Sequence, residues 1–407
     1  MTSLRTHGQP LLEWLVAGDR ADVVVVDDGG SWTRGELVSA VTRRGDELGA
    51  LEGTRRGVGV PCGGVGVVEL LAVIAAGGLP LVGVRAGNEP PPSWTPPGRL
   101  SLAVPTSGST GTPRWVALSA GGIAHVAACV VDILGLRPGE RLFCPLPLAH
   151  SYGLTQLWCC LRARATLVLP RRPLLGRDWA AAGDCAVIAA IAPWAEAMVA
   201  ARVSPRAVTL AGQATPPAAR RRLAAAMPST EFHVFYGLTE ATSRVLALPP
   251  GRFLDAELAV GVPLAGTEVA VRDGELWTRG PHVSPGYLDD LEATAAGREG
   301  DWRRTGDAFV SGHDDLAFLG RRDGMVKRLG EKVFPERVES VILGLSGVHD
   351  VRVVLDGDVL VAEVAGGDVD VARVRAEVRR VLGGASVPDR VLPVPAVPRT
   401  PSGKVRR

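Results

Sequence analysis

Apolar and polar positions follow two rhythms along the first half of this chain: short β-branched runs, and longer stretches with apolar residues at helical spacing. Residues 21–26 (Ala-Asp-Val-Val-Val-Val) form one such run and stop at Asp27-Asp28-Gly29-Gly30, a turn sequence. Ser31-Trp32-Thr33-Arg34-Gly35-Glu36 then predicts the opening of a helix that continues through Leu37, Val41 and Leu48. Residues 57–60 read as a short strand, residues 65–76 as a buried helix interrupted only by Glu69, and residues 79–84 as the next strand. The short runs return at Leu142-Phe143-Cys144 and at residues 166–169, 186–191 and 207–210. This strand–helix–strand order predicts an α/β domain with parallel-rich sheets covered by helices on both faces.

Past residue 323 the texture changes. Residues 350–355 and 359–364 flank Asp356-Gly357-Asp358, a hairpin signal, and Val371, Val374, Val378 and Leu382 follow as one apolar stripe at helical spacing. The expected division is a large N-terminal domain, residues 1–322, and a small α+β C-terminal lid domain, residues 323–407. Residues 387–401 are rich in proline and are expected to run as an extended leash ahead of Lys404.

Length agrees with two or three domains, because 407 residues exceed what one compact core holds. A formal charge of +2, from 45 basic and 43 acidic residues, gives no electrostatic reason to expect nucleic acid or a membrane surface as partner. The cysteines at 62, 129, 144, 159, 160 and 185 make no CxxC pair and no Cys/His grouping of metal spacing, which fits buried thiols in a reducing compartment. Residues 1–10 are polar, and no stretch reaches the about 18 apolar residues of a membrane span, so a cytoplasmic location is expected.

Four short segments carry candidate chemistry. In Pro105-Thr106-Ser107-Gly108-Ser109-Thr110-Gly111-Thr112-Pro113-Arg114, hydroxyls and glycine-freed N–H groups would form a nest for phosphate oxygens. The plain alternative is a Ser/Thr/Gly surface turn, and the Gly-Lys-Ser/Thr of a Walker loop is absent. Tyr236-Gly237-Leu238-Thr239-Glu240 follows an apolar strand at residues 232–235. Glu240 would then stand at the carboxyl end of a parallel strand, where open sheets bind ligands, and one carboxylate there suits Mg²⁺ shared with phosphate oxygens. Otherwise it is a solvated or helix-opening glutamate. Asp307, after Thr305-Gly306, either caps its own turn or accepts both hydroxyls of a ribose. Gly320-Arg321-Arg322-Asp323-Gly324 lies where the composition shifts and is a candidate hinge.

In this order the segments resemble those of the adenylate-forming superfamily: acyl- and aryl-CoA synthetases, carrier-protein adenylation domains and luciferases. Residues 31–37 resemble its Thr-Tyr-x-Glu-Leu segment, residues 106–114 its Thr-Ser-Gly-Thr-Thr-Gly-x-Pro-Lys loop, and residues 145–153 its Pro-x-x-His-x-x-Gly segment. Residues 70–84, 211–216, 236–240, 305–307, 320–339 and 401–404 complete a series along nearly the whole chain. The resemblance implies ATP and Mg²⁺ as cofactors. It implies that Thr106, Ser107, Gly108, Ser109, Thr110 and Gly111 close over the β- and γ-phosphates. Gly212, Gln213 and Ala214, with Tyr236 and Gly237, would line the adenine. Thr239 would contact the α-phosphate, Glu240 hold Mg²⁺, and Asp307 and Arg321 bind ribose. Asp323 would be the pivot, and Lys404 would bridge the acid and the α-phosphate. His150 matches the histidine beside the acid pocket, with a core histidine as the plain alternative.

The implied activity is ATP-dependent, AMP-forming activation of a small carboxylic acid, aryl over alkyl, as its acyl-adenylate. Transfer to a thiol of CoA or a separate carrier protein would follow, with Gly330-Glu331-Lys332 facing the site for that step. Arg114 stands where the loop's lysine is usual and is followed by Trp115. The regions before Thr106 and between Leu154 and Gly212 are shorter than usual, which favours a small or flat acid. Arg244 either faces a second anionic group on the substrate or is solvated at the surface. Two other functions stay open: adenylation of an unusual acid such as nitrite with transfer to an amine (diazotization, nitrogen–nitrogen bond formation), and a degenerate nucleotide-binding protein without catalysis.

Overall fold

The computed structural model describes residues 4–398 except 5, 7–8, 60–62, 91, 107–113, 171–177, 255–259, 313–314 and 368. The first β-branched run is the strand Val23–Asp27, but Ser31 does not open a helix. Gly30–Thr33 is instead a strand that folds back antiparallel on the first, with Gly30 opposite Asp27. The helix Arg34–Leu48 begins one residue later because a reciprocal cap fixes its start. The Thr33 hydroxyl accepts the Glu36 N–H, and the Glu36 carboxylate accepts the Thr33 N–H at 2.8 Å.

Six parallel strands form the centre of a nine-stranded sheet, in the order Glu231–Tyr236, Ala207–Leu210, Val187–Ala190, Arg141–Phe143, Thr166–Val168 and Val23–Asp27. Antiparallel strands complete both edges. Every residue of Val187–Ala190 and Ala207–Leu210 is buried, as strands covered on both faces require. A second sheet of five runs Arg55–Val58, Leu79–Val82 and Leu100–Pro105 in parallel, then Trp115–Ser119 and Gly286–Leu288 antiparallel. The helices Arg34–Leu48, Gly63–Ala75, Ala120–Leu134 and Ser151–Ala163 share one buried core with these sheets.

Residues 268–321 add an antiparallel sheet that the apolar pattern does not announce. Its strands Glu268–Arg272, Glu275–Arg279 and Trp302–Ser311 carry charged residues inside the sheet, so they show no simple alternation. Beyond it, Val348–Asp356 and Val359–Gly366 pair as the expected hairpin, and the helix Val371–Leu382 buries Val374 and Val378. The expected leash is partly structure. Arg390–Val394 is a third strand, parallel to Val359–Gly366, and buries Val391. Pro393 is tolerated there because the strand lies at the sheet's edge, where one N–H has no ladder partner to lose. Among the described residues, no helix is long and apolar enough to cross a membrane.

Candidate active site

Three of the parallel strands deliver their following segments to the same carboxyl edge of the large sheet, the usual ligand edge of such sheets. After Arg141–Phe143 the chain turns into the helix Ser151–Ala163. Gly153 is required there, because a side chain would overlap the Pro147 carbonyl oxygen. His150 occupies the N-cap position without a side-chain cap bond, and its N–H donates to the Pro147 carbonyl at 3.1 Å. It is half-buried at the edge. After Ala207–Leu210 come Gly212, Gln213 and Ala214; Gly212 and Ala214 are exposed. The nearest atoms to a Cβ at Gly212 are 4.0 Å away, on Ile191 and Tyr152.

The third segment follows Glu231–Tyr236. Leu246–Leu248 returns antiparallel, and the Val245 N–H closes the base of the loop on the Tyr236 carbonyl at 2.9 Å. Its tip is a tight turn, Thr239–Ala241. A side chain on Gly237 would overlap the Ser243 carbonyl oxygen and stand 2.7 Å from Arg244 Cα, so the loop's own closure demands glycine. The Thr239 hydroxyl lies 3.1 Å from Ser151 Oγ, tying the tip to the neighbouring helix. Glu240 Oε1 accepts the Tyr287 hydroxyl at 2.7 Å, and that oxygen accepts Arg303 Nη2 at 2.7 Å. Burial, with Glu240 alongside, pushes the Tyr287 phenol up to about 12, so it remains a donor.

No described residue donates to Glu240 Oε2, and among the described residues no group of three His, Cys, Asp or Glu side chains could hold a metal. A cation at Glu240 would therefore take one carboxylate from the chain and its other oxygens from phosphate and water. That donor set fits Mg²⁺.

The strands that flank the hydroxyl-rich segment pair antiparallel, with Pro105 opposite Trp115. Thr106 and Arg114 close its base: the Thr106 N–H donates to the Arg114 carbonyl at 2.8 Å, and the Arg114 N–H to Thr106 Oγ1 at 3.3 Å. Ser107, Gly108, Ser109, Thr110 and Gly111 lie outside the described residues, as does Lys404. The Arg114 side chain pairs with Asp290 at 2.8 Å and lies over the Tyr287 ring.

Asp307 sits buried in the strand Trp302–Ser311 and does not cap its own turn. Thr305 does that, its hydroxyl accepting the Asp307 N–H at 3.1 Å. Asp307 Oδ2 accepts the Tyr236 hydroxyl at 2.6 Å, and Oδ1 lies 3.3 Å from Arg321 Nη1. Burial pushes the Asp307 carboxyl up to about 6, against the downward pull of Arg321 and Tyr236. Arg321 also pairs with the exposed Asp323 at 3.2 Å. A residue missed in the sequence supports this corner. Glu275, 1% exposed, accepts the Gly306 N–H at 3.0 Å and pairs with Arg304 at 2.8 Å and Arg322 at 2.9 Å. In Asp273-Gly274-Glu275 it reads as a solvated turn glutamate, and no local signal marks it.

Arg244 is not solvated. It is 1% exposed, with its guanidinium 4.2 Å from the Tyr152 ring centre and 5.1 Å from that of Phe235. Thr242 and Ser243 both take left-handed backbone, at φ 48° and 79°, and this turns the chain inward ahead of Arg244.

The AMP-binding enzyme family model matches residues 18–288, and the model of the AMP-binding enzyme C-terminal domain matches residues 337–404. An isonitrile lipopeptide synthase from Streptomyces coeruleorubidus is 32% identical over 345 residues, 76% of this chain and 23% of that protein. A 2-succinylbenzoate–CoA ligase from Geobacillus kaustophilus is 30% identical over 336 residues, 74% of this chain and 67% of that protein. The matched region thus spans about a quarter of the first relative and two thirds of the second. The fold is that of the o-succinylbenzoate CoA synthetase from Bacillus subtilis in complex with its acyl-adenylate intermediate: TM-score 0.86 at 20% identity, covering 98% of this chain and 97% of that one. With matching models along most of its length, the chain belongs to the AMP-binding enzyme family and has the large and small domains of the adenylate-forming fold.

Proposed function

We propose that this protein uses ATP to convert a small carboxylic acid, aryl over alkyl, into its acyl-adenylate with release of pyrophosphate, and then passes the acyl group to a thiol of CoA or a separate carrier protein. One observation carries the reading. Glu240 is held through Oε1 by Tyr287 and keeps Oε2 free of donors among the described residues, on the same loop tip as Thr239 and after the strand next to the one that leads to residues 212–214.

Attack of a carboxylate on the α-phosphorus brings two anions together, so the chain must offset charge more than supply covalent chemistry. Mg²⁺ at Glu240 would supply part of that offset. The Tyr287–Arg303 pair orients the Glu240 carboxylate, and Thr239, braced by Ser151, offers a hydroxyl to the α-phosphate. Thr106, Ser107, Gly108, Ser109, Thr110 and Gly111 close over the outer phosphates. Gly212, Gln213, Ala214, Tyr236 and Gly237 border the adenine, Asp307 and Arg321 take the ribose hydroxyls, and His150 stands beside the acid. Lys404 brings the mobile positive charge. It is carried by a small domain, residues 323–407, that turns about Asp323 on the large domain, residues 1–322. The five described cysteines are free and buried, which suits the reducing cytoplasm.

The test is Lys404→Ala. ATP–pyrophosphate exchange should fall by about 10² to 10³, the scale of a lost charge-stabilising group, while thioester formation from a preformed adenylate continues. Equal loss of both steps would sink the swinging-lid assignment. Exchange driven by nitrite and by no carboxylate would replace thioester chemistry with nitrogen–nitrogen chemistry.

A further inference from the structure

The guanidinium of Arg244 is enclosed by Tyr152 and Phe235 and uses only one of its nitrogens inside the chain. Nη1 donates to the Ser243 carbonyl at 2.9 Å and to Ser243 Oγ at 2.7 Å. Nε and Nη2 are buried with no hydrogen-bond partner among the described residues, and no described aspartate or glutamate pairs with it. An unpaired buried cation is among the costliest groups a fold can carry. A second orphan lies close by in the chain: Gln156, fully buried one helical turn beyond Tyr152 and on the same helix face, has an Oε1 without a donor.

These groups adjoin the reaction site. Tyr152 follows Ser151, which contacts Thr239, and a Tyr152 ring carbon lies 4.0 Å from where a Cβ on Gly212 would stand. The Tyr152 hydroxyl is committed to the Ala190 and Thr209 carbonyls at 3.0 and 2.8 Å, so the ring that faces Arg244 is fixed in place. The result is a flat, donor-bearing cation clamped between two aromatic faces, a short distance from the turn that would handle the α-phosphate.

We infer that Arg244 anchors a second carboxylate of the substrate, so that the acid activated here is a small dicarboxylic acid, its two carboxyl groups separated by an aromatic ring or a short chain. This deepens the adenylation reading and rests on it. One carboxylate reaches the α-phosphate while the other accepts from Nε and Nη2, the paired donors that guanidinium offers to a carboxylate. Gln156 Oε1 would take a hydrogen from a hydroxyl or water accompanying the acid.

The experiment is ATP–pyrophosphate exchange by the full chain with matched pairs: benzoate against phthalate and isophthalate, propionate against succinate. The diacid should win within at least one pair by about a hundredfold or more in kcat/KM, since a site built around a polar contact rejects the analogue that lacks it. Arg244→Met should erase that preference without changing the KM for ATP, and Arg244→Lys should restore part of it. A fold control runs alongside. Relieved of an unpaired charge, Arg244→Met without ligand should melt at or above the wild-type temperature, and the diacid should raise the melting temperature of wild type alone. Equal use of monoacids by wild type would overturn the inference while leaving adenylation intact. So would a preference that survives Arg244→Met, or a variant that melts lower with its acid preference unchanged. Bound ATP with no exchange on any acid would remove the adenylation reading, and this inference with it.

Discussion

The corner around Asp307 and the packing around Arg244 flank one strand, Glu231–Tyr236, and treat buried charge in opposite ways. Side chains alternate across a strand, so Tyr236 meets Asp307 on one side while Phe235 meets Arg244 on the other. Around Asp307 the charges answer one another: Asp307 faces Tyr236 and Arg321, and Glu275 faces Arg304, Arg322 and the Gly306 N–H. Around Arg244 a cation is buried among aromatic rings and, among the described residues, hydrogen-bonds only the backbone and hydroxyl of Ser243. A cluster of paired opposite charges holds a shape, whereas a buried cation with no carboxylate partner among the described residues keeps donors for something brought from outside. On the proposed reading, the difference separates groups that would hold the nucleotide corner from a group whose free donors would meet the acid.

The two sides meet at Gly237, so that position should give the largest effect. Gly237→Ala must push the Ser243–Arg244 backbone away from Tyr236, moving the Thr239–Glu240 turn and Arg244 together. Exchange activity should drop by about a hundredfold or more, the cost of an ångström-scale misplacement. Activity within tenfold of wild type would show that the loop does not couple the two sides. Glu275→Gln probes the charge-paired side alone. Removing the charge shared by Arg304 and Arg322, both about half exposed, should cost about 2 kcal/mol in urea unfolding and raise the KM for ATP, leaving acid preference untouched. A change in acid preference would mean the two sides are not independent.

Asp307 adds a pH signature. Folding raises its carboxyl to about 6, so above that pH it is a charged acceptor and below it is a neutral acid that loses its attraction to Arg321. The kcat/KM for ATP should therefore fall about fivefold between pH 6 and pH 5, as the ionised fraction of a group titrating near 6 does, and Asp307→Asn should be weak and flat across that range. An unchanged acid limb in the Asn variant would assign it to another group. The smallest effect is expected at Arg114→Ala. Its pair with Asp290 is half exposed, so stability should change by less than about 1 kcal/mol.

Much of this was legible one element at a time. The parallel strands, the hairpin around Asp356-Gly357-Asp358 and the helix Val371–Leu382 all follow from local apolar runs and turn residues. The early misreading at Ser31 came from a cap that only the Thr33–Glu36 pair decides. The leash beyond residue 387 was misread because an edge strand's partner, Val359–Gly366, is far away in sequence.

By itself, the sequence determined which segments make strands and helices, and that hydroxyls, Thr239, Glu240, Asp307 and Lys404 occur in an adenylate-forming order, because those are properties of neighbouring residues. Only the tertiary structure decided that Glu275 is a buried brace, that Asp307 faces Tyr236 and Arg321, and that Arg244 lies between two rings with no carboxylate partner among the described residues. Those outcomes depend on burial and on partners tens of residues away. An arginine, glutamate or aspartate has the same letter whether water or a closed pocket surrounds it.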